Sequence, residues 1–203
     1  MLVTEAGQQK IRDAIANVER GTYAELVTVL AHRADNYPFV SVAWAAMLAM
    51  LTPAIVMLLP FWLEPFHILL VQAVVFSLAA LLFRWQPILM KLVPKKLAIG
   101  NAQNLARRQF LQNNLHHTEG ESGVLIFVAE AEHYVEIIAD RGISRHVPDE
   151  KWQAIVDEFI VAVKTGRTEE GFLRCIQQCG ALLQQHCPAS ENKNELPDRL
   201  VVV

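Results

Sequence analysis

VSVAWAAMLAMLTPAIVMLLPFWLEPFHILLVQAVVFSLAALLFRW, residues 40–85, decides how the rest of the chain is read. From Ala34 to Phe83 there is no Lys or Arg, and the only acids are Asp35 and Glu64. A run this long and this apolar reads as membrane. Val40 to Leu63 would rise ~36 Å as a helix, enough for a hydrocarbon core of about 30 Å, and Phe66 to Trp85 is also long enough. Between them Leu63-Glu64-Pro65-Phe66 sets a carboxylate beside a proline, and neither suits the bilayer centre. The spacing therefore predicts a hairpin of two spans, 40–63 and 66–85, with its tip at Glu64. Trp44, Trp62 and Trp85 fall near the ends of the spans, where an indole keeps its ring in the apolar region and its N–H in the wet one. A buried hairpin in a soluble protein is the alternative, but so small a chain has too little structure left to cover such a run on every side.

The rest is polar enough for one domain. Hydrophobic residues make up 53% of the 203, and the mean hydropathy of +0.25 reflects an excess concentrated in the run. A net charge of −3 carries no nucleic-acid footprint. Cys175, Cys179 and Cys187 are odd in number and clustered, which fits free thiols in a reducing compartment better than a disulfide framework. No apolar stretch next to a small-residue cleavage site occurs in Met1–Asp35, so no signal peptide is expected there.

Charge sets the expected orientation. From Arg84 to Thr118 the basic residues Arg84, Lys91, Lys95, Lys96, Arg107 and Arg108 occur without one Asp or Glu, whereas the tip carries no Lys or Arg. The positive-inside rule puts the basic side in the cytoplasm, and two spans return the chain to the side it started from. Both termini are thus expected in the cytoplasm. Lys91, Lys95 and Lys96 lie close enough to the second span to rest on anionic headgroups, while Arg107 and Arg108 read equally well as a solvated helix face.

Outside the run, Thr4 is placed to cap a helix bearing Ile11, Ile15 and Val18, and Gly21 to end it. Glu25–Ala31 has the β-branched content of a strand. These ~35 residues cannot bury a core alone, so their partners must come from beyond the hairpin. There Ala102, Ala106 and Phe110 mark a helical stripe, and Gly123–Ala129 is a nearly continuous apolar run, as in a strand covered on both faces. The turn 130–133 then leads into Tyr134–Asp140, which predicts an antiparallel hairpin. A helix with an apolar face at Trp152, Ile155, Val156, Phe159, Ile160 and Val163 follows Pro148. Thr168-Glu169-Glu170 opens another, running to about His186, with Thr168 as its expected cap. Helix, strand, membrane hairpin, helix, strand, strand, helix, helix and tail is the expected order. Removing the hairpin leaves strand, crossover helix and parallel strand, so the anchor is an insertion in the crossover of one α/β domain.

Ala24-Glu25-Leu26-Val27-Thr28-Val29, Ser122–Val128, the segment Glu132-His133-Tyr134-Val135-Glu136-Ile137-Ile138-Ala139-Asp140-Arg141-Gly142-Ile143, Trp152 and the tail Asn194–Asp198 together resemble the TPM domain family. Within it the chain is similar to small bacterial membrane proteins in which two spans interrupt the domain. That resemblance implies an α/β fold with a small three- to four-stranded mixed sheet flanked by helices. The parts would be 1–35, the hairpin 40–85 and the remainder 86–203, in the bacterial inner membrane. It also implies a wide range of roles, since the family includes thylakoid members with reported phosphatase activity and calcium-binding examples.

Candidate chemistry is sparse. Asp140 closes its strand, Glu136 points to the same face by period-two alternation, and Glu25 should lie at the same end of the sheet as Asp140 if the first two strands are parallel. Two or three carboxylates there would suit Ca²⁺ or Mg²⁺, and a bound metal would supply phosphoryl chemistry. Alternatively Asp140 caps its turn and pairs with Arg141 or Arg145. Cys175 and Cys179 fall on an apolar helical stripe with Phe172, Ile176 and Leu182, which reads as core rather than as a zinc site. No Walker loop, nucleophile elbow or paired CxxC occurs. The expected function is a non-enzymatic, membrane-tethered binding module for assembly or quality control of other membrane proteins, with the lipid bilayer as its constant partner. A divalent-metal-dependent acid phosphatase is the alternative.

Overall fold

Our computed structural model describes residues 4–58, 60, 64–189 and 200–203, and divides into two compact units, 1–34 with 99–203, and 35–98. In the first unit Thr4 opens α1 (Glu5–Glu19) by accepting a hydrogen bond from the Gly7 N–H at 3.1 Å, and Ile11, Ile15 and Val18 are buried. β1 (Glu25–Ala31) is buried along its whole length because it runs inside a sheet of order β3-β2-β1-β4. It pairs in parallel with β2 (Gly123–Ala129), Glu25 opposite Gly123 and Ala31 opposite Ala129. β2 pairs antiparallel with β3 (Tyr134–Ala139). The mixed sheet expected from the sequence is present.

One strand was not in the expected order of elements. The end of the tail forms β4 (Leu200–Val202), parallel to β1 with Thr28 opposite Leu200. Three residues carry too little periodicity to announce a strand, and what makes them one is the open edge of β1. The tail motif 194–198 and Trp62 lie outside the described residues.

Helices cover both faces of the sheet. Leu26, Leu30, Ile126, Val128 and Val135 pack into one core with α1, α7 (Asp149–Lys164) and α8 (Thr168–His186). Phe159 of α7 and Phe172 of α8 meet edge to face, with ring centroids 4.8 Å apart. Cys175, Cys179 and Cys187 are free and buried in this core, and the neighbouring Cys179, followed by burial, pushes the Cys175 thiol well above its ordinary pKa. On the other face Val27, Val29, Leu125 and Phe127 meet Ala102, Ala106 and Phe110 of α5 (Lys95–Gln112). The small alanines let α5 lie close against the strands. Thr168 is not the cap expected of it: Arg167 holds that position, and the buried Thr168 hydroxyl has no hydrogen-bond partner among the described residues.

The second unit is a helical hairpin with a short helix at its base. α2 (Pro38–Met57) and α3 (Pro65–Leu82) are both long and apolar enough to cross a membrane, with mean hydropathies of 2.0 and 2.1. Both helices stop short of the expected spans. Pro53, four residues before the end of α2, removes one backbone donor, and the chain turns after Leu82 into α4 (Gln86–Leu92), whose first turn accepts Pro87. The buried residues of α2 are Ser41, Ala45, Ala49, Thr52 and Val56, a seam of mostly small side chains where two helix backbones approach closely. Tyr37, Leu89, Val93 and Ala98 form a separate small core, and the Trp44 indole N–H donates to the Leu92 carbonyl at 3.2 Å. These contacts tie α4 to the hairpin, so residues 86–98 group with the spans.

Candidate functional site

The three expected carboxylates all sit on the sheet in the first unit. Glu25 begins β1, is 5% exposed, and donates its backbone N–H to Ser122 O at 3.2 Å. Asp140 follows β3, and its N–H donates to Gly123 O at 2.8 Å. Because Glu25 also stands opposite Gly123, the two acids flank that glycine at one end of the sheet, as the parallel pairing required. Two strand spacings separate their backbones, about 10 Å. The space over Gly123 is filled, since a Cβ there would strike the backbone carbonyl of Leu115. Gly142, just past Asp140, is packed just as tightly against the Gly120 and Glu121 carbonyls.

Asp140 caps a turn. One carboxylate oxygen accepts from the Arg141 N–H at 2.8 Å, which opens the single-turn helix α6 (Arg141–Ser144). The other oxygen is buried with no hydrogen-bond partner among the described residues. Arg145 reaches Glu121 instead, at 3.6 Å.

Glu136 is elsewhere on the same face. It stands opposite Phe127, four residues along β3 from Asp140, or about 13 Å. Its neighbours are the Tyr134 hydroxyl and the Arg107 guanidinium of α5. Burial raises the Glu136 pKa, and Tyr134 and Arg107 offset part of that rise. Burial, and then the nearby Glu136 charge, push Tyr134 up to about 12, a rise that the neighbouring Gln103 of α5 partly offsets. Sequence reading did not assemble this phenol, carboxyl, amide and guanidinium. The signal lay in Gln103 and Arg107, four apart and one position beyond the Ala102–Ala106 stripe. Among the described residues no group of three His, Cys, Asp or Glu is placed to hold a metal ion.

The expected interfacial residues belong to the second unit, where Trp85 is 64% exposed and Lys91, Lys95 and Lys96 are all exposed around α4 and the start of α5. The family model described as TPM domain matches residues 91–182, a stretch that runs from Lys91 through both β2 and β3 into α8. That stretch is similar to TPM domains. The chain's fold is that of the BA42 protein from the psychrophilic bacterium Bizionia argentinensis, solved by NMR, with a TM-score of 0.61 at 17% identity over 99% of this chain and 95% of that one. No curated protein matches. The TPM match leaves α1, β1, α2 and α3 outside it, and the parallel pairing of β1 with β2 makes residues 25–31 part of the same sheet.

Proposed function

We propose that this protein is an integral protein of the bacterial inner membrane. Its TPM domain, interrupted by the hairpin α2–α3, faces the cytoplasm as a non-enzymatic binding module for assembly or quality control of other membrane proteins. One observation carries this reading: only 6% of the apolar window of α3 is buried within the protein. An 18-residue apolar helix left open to water would expose far more contiguous apolar surface than the few hundred Å² soluble proteins tolerate. Lipid supplies the missing cover. Lys91, Lys95 and Lys96 then meet anionic headgroups, and Trp44 and Trp85 mark the interface. The chain should stay in the membrane pellet after alkaline carbonate washing. A reporter active only outside the inner membrane should be silent after Asp35 or Val203 and active at Glu64; activity at either terminus reverses the orientation.

The phosphatase alternative has one observation in its favour, the unpartnered buried oxygen of Asp140. A weak Ca²⁺ or Mg²⁺ site there would draw on Asp140 without Glu25, because the Leu115 backbone fills the space over Gly123 between them. Glu136, about 13 Å along the strand, would serve the Tyr134–Arg107 cluster instead. Phosphate release by the purified protein with and without divalent ions separates the two readings, and metal-dependent turnover lost in Asp140→Asn would favour the enzyme.

A further inference from the structure

α5 differs in charge from α1, α7 and α8. Those three cover one face of the sheet, and each carries more acids than bases: three against two, four against two and two against one. Some of their cations are taken up in ion pairs, Lys10 with Glu169 at 2.9 Å and Arg174 with Glu158 at 2.7 Å. α5, on the other face, carries Lys95, Lys96, Arg107 and Arg108 and no acid at all. Arg107 stands near Glu136, whereas Lys95, Lys96 and Arg108 make no ion pair with any described residue.

The side of α5 turned away from the sheet is open. Ala102, Ala106 and Phe110 meet the strands, and Leu97, Asn104, Arg108 and Leu111 recur at helical spacing on the opposite side, all exposed. Leu97 is 42% and Leu111 54% exposed, one towards each end of the helix, with Lys96 and Arg108 beside them. Bare leucines among cations suit a surface that is anionic outside and apolar just beneath. An acidic protein would match the cations alone. α5 also begins at Lys95, shortly after the second span ends at Leu82, so the chain delivers it to the bilayer. We propose that α5 lies along the anionic bilayer surface by this outer face, with Lys96 and Arg108 on headgroups and Leu97 and Leu111 at the boundary with the acyl chains. Two leucines and a few cations hold a free helix weakly, but the span keeps α5 at a high effective concentration beside the lipid. The acidic helices on the far face of the sheet then turn to the cytoplasm, away from like charge. The inference rests on the membrane-spanning reading.

The test uses the full chain reconstituted in phosphatidylcholine vesicles with or without phosphatidylglycerol. An environment-sensitive dye is attached to Asn104→Cys on α5 and, for comparison, to Ala154→Cys on the exposed side of α7; Cys175, Cys179 and Cys187 are buried and escape the label. Carbonate washing is run first. In a chain that resists it, the dye at position 104 should report an apolar setting and be quenched by spin-labelled lipid in the anionic vesicles, and high salt should reverse both. The dye at position 154 should report water throughout. Lys96→Gln and Arg108→Gln should each lower the ratio of lipid-bound to free α5 about fivefold, with the melt unchanged because both side chains are exposed. Release of the chain by carbonate overturns the spanning reading and this one with it. A resistant chain whose dye at position 104 reports water in anionic vesicles overturns this proposal alone. So does quenching that is as strong in neutral lipid and indifferent to both substitutions.

Discussion

Phe159 and Phe172, 2% and 0% exposed, meet ring to ring in the TPM domain, whereas Phe66, Leu78 and Leu81 of the hairpin are 65%, 63% and 71% exposed. The residue types are the same and the pattern is not. α7 sets its apolar residues at helix-face spacing with acids and lysines between, so one side turns to the core and the other to water. α2 and α3 are apolar all round, and only the small-residue seam between them is covered. Apolar content alone therefore does not make a core. What separates the units is how much of its apolar surface each one covers with its own residues.

That contrast is most easily broken by equal truncations. Phe159→Ala should cost about 3–5 kcal/mol, because it leaves a cavity under Phe172 in a close-packed core. Phe66→Ala removes the same atoms from an exposed site and should leave the melt of the TPM domain within about 0.5 kcal/mol. Denaturation of both variants in detergent is the measurement, and comparable losses would mean that α3 is covered by protein after all. A somewhat smaller effect sharpens the same point. Val74, 56% exposed near the middle of α3, should cost about 2.5–3.5 kcal/mol of membrane insertion when changed to Arg, read as a drop in the membrane-integrated fraction. On a water-facing helix that change would be nearly neutral.

The contrast also decided what could be read beforehand. β1 and β2 were legible residue for residue as short apolar, β-branched runs, and the stripes of α1 and α7 by their helical periodicity, with Ile160 alone only partly buried. The two long apolar helices were legible as a run. Pro60 stands just past α2, and Arg84, Gln86 and Pro87 just past α3, signals that a reading by apolar length alone passes over. β4 was hidden for another reason: its pairing with β1 joins residues far apart in the chain, and three residues have no period of their own. At the candidate site the same limit applied. Sequence put Glu25 and Asp140 at one end of the sheet, but only the packing of Leu115 over Gly123 shows that backbone lies between them. The Tyr134–Glu136–Arg107 grouping joins β3 to α5 and could not be seen from either alone.

Polar groups in the TPM domain should respond more gently than its core, and Asp140 tests how gently. As the acceptor that opens α6 it should cost about 0.5–2 kcal/mol when changed to Ala, whereas Asn keeps an acceptor and should cost less. Calorimetry with Ca²⁺ and Mg²⁺ belongs beside the melts. If Asp140→Asn is as stable as wild type yet loses a weak heat of binding, the spare oxygen holds a cation. If it melts much earlier without any cation present, Asp140 is a turn residue and nothing more.

The smallest expected effect comes from Glu136, and its sign distinguishes a half-buried acid from a paired one. Burial raises its folded pKa above the value of about 4.5 it has when unfolded. The folded state therefore holds the proton more tightly than the unfolded chain does. The stability this adds is fully present below the unfolded pKa and is lost as pH rises through the folded one. Glu136→Gln keeps the shape and removes the titration, so relative to the variant the wild type should do best in acid and lose ground as the solution approaches neutrality. The difference should stay under about 1 kcal/mol, because Tyr134 and Arg107 already favour the charged form. Melts of both proteins from pH 4 to pH 8 give the comparison. The opposite trend, with wild type gaining on the variant as pH rises, would mean that Arg107 dominates and that Glu136 is an ion-pair carboxylate at the sheet edge rather than a proton-holding one.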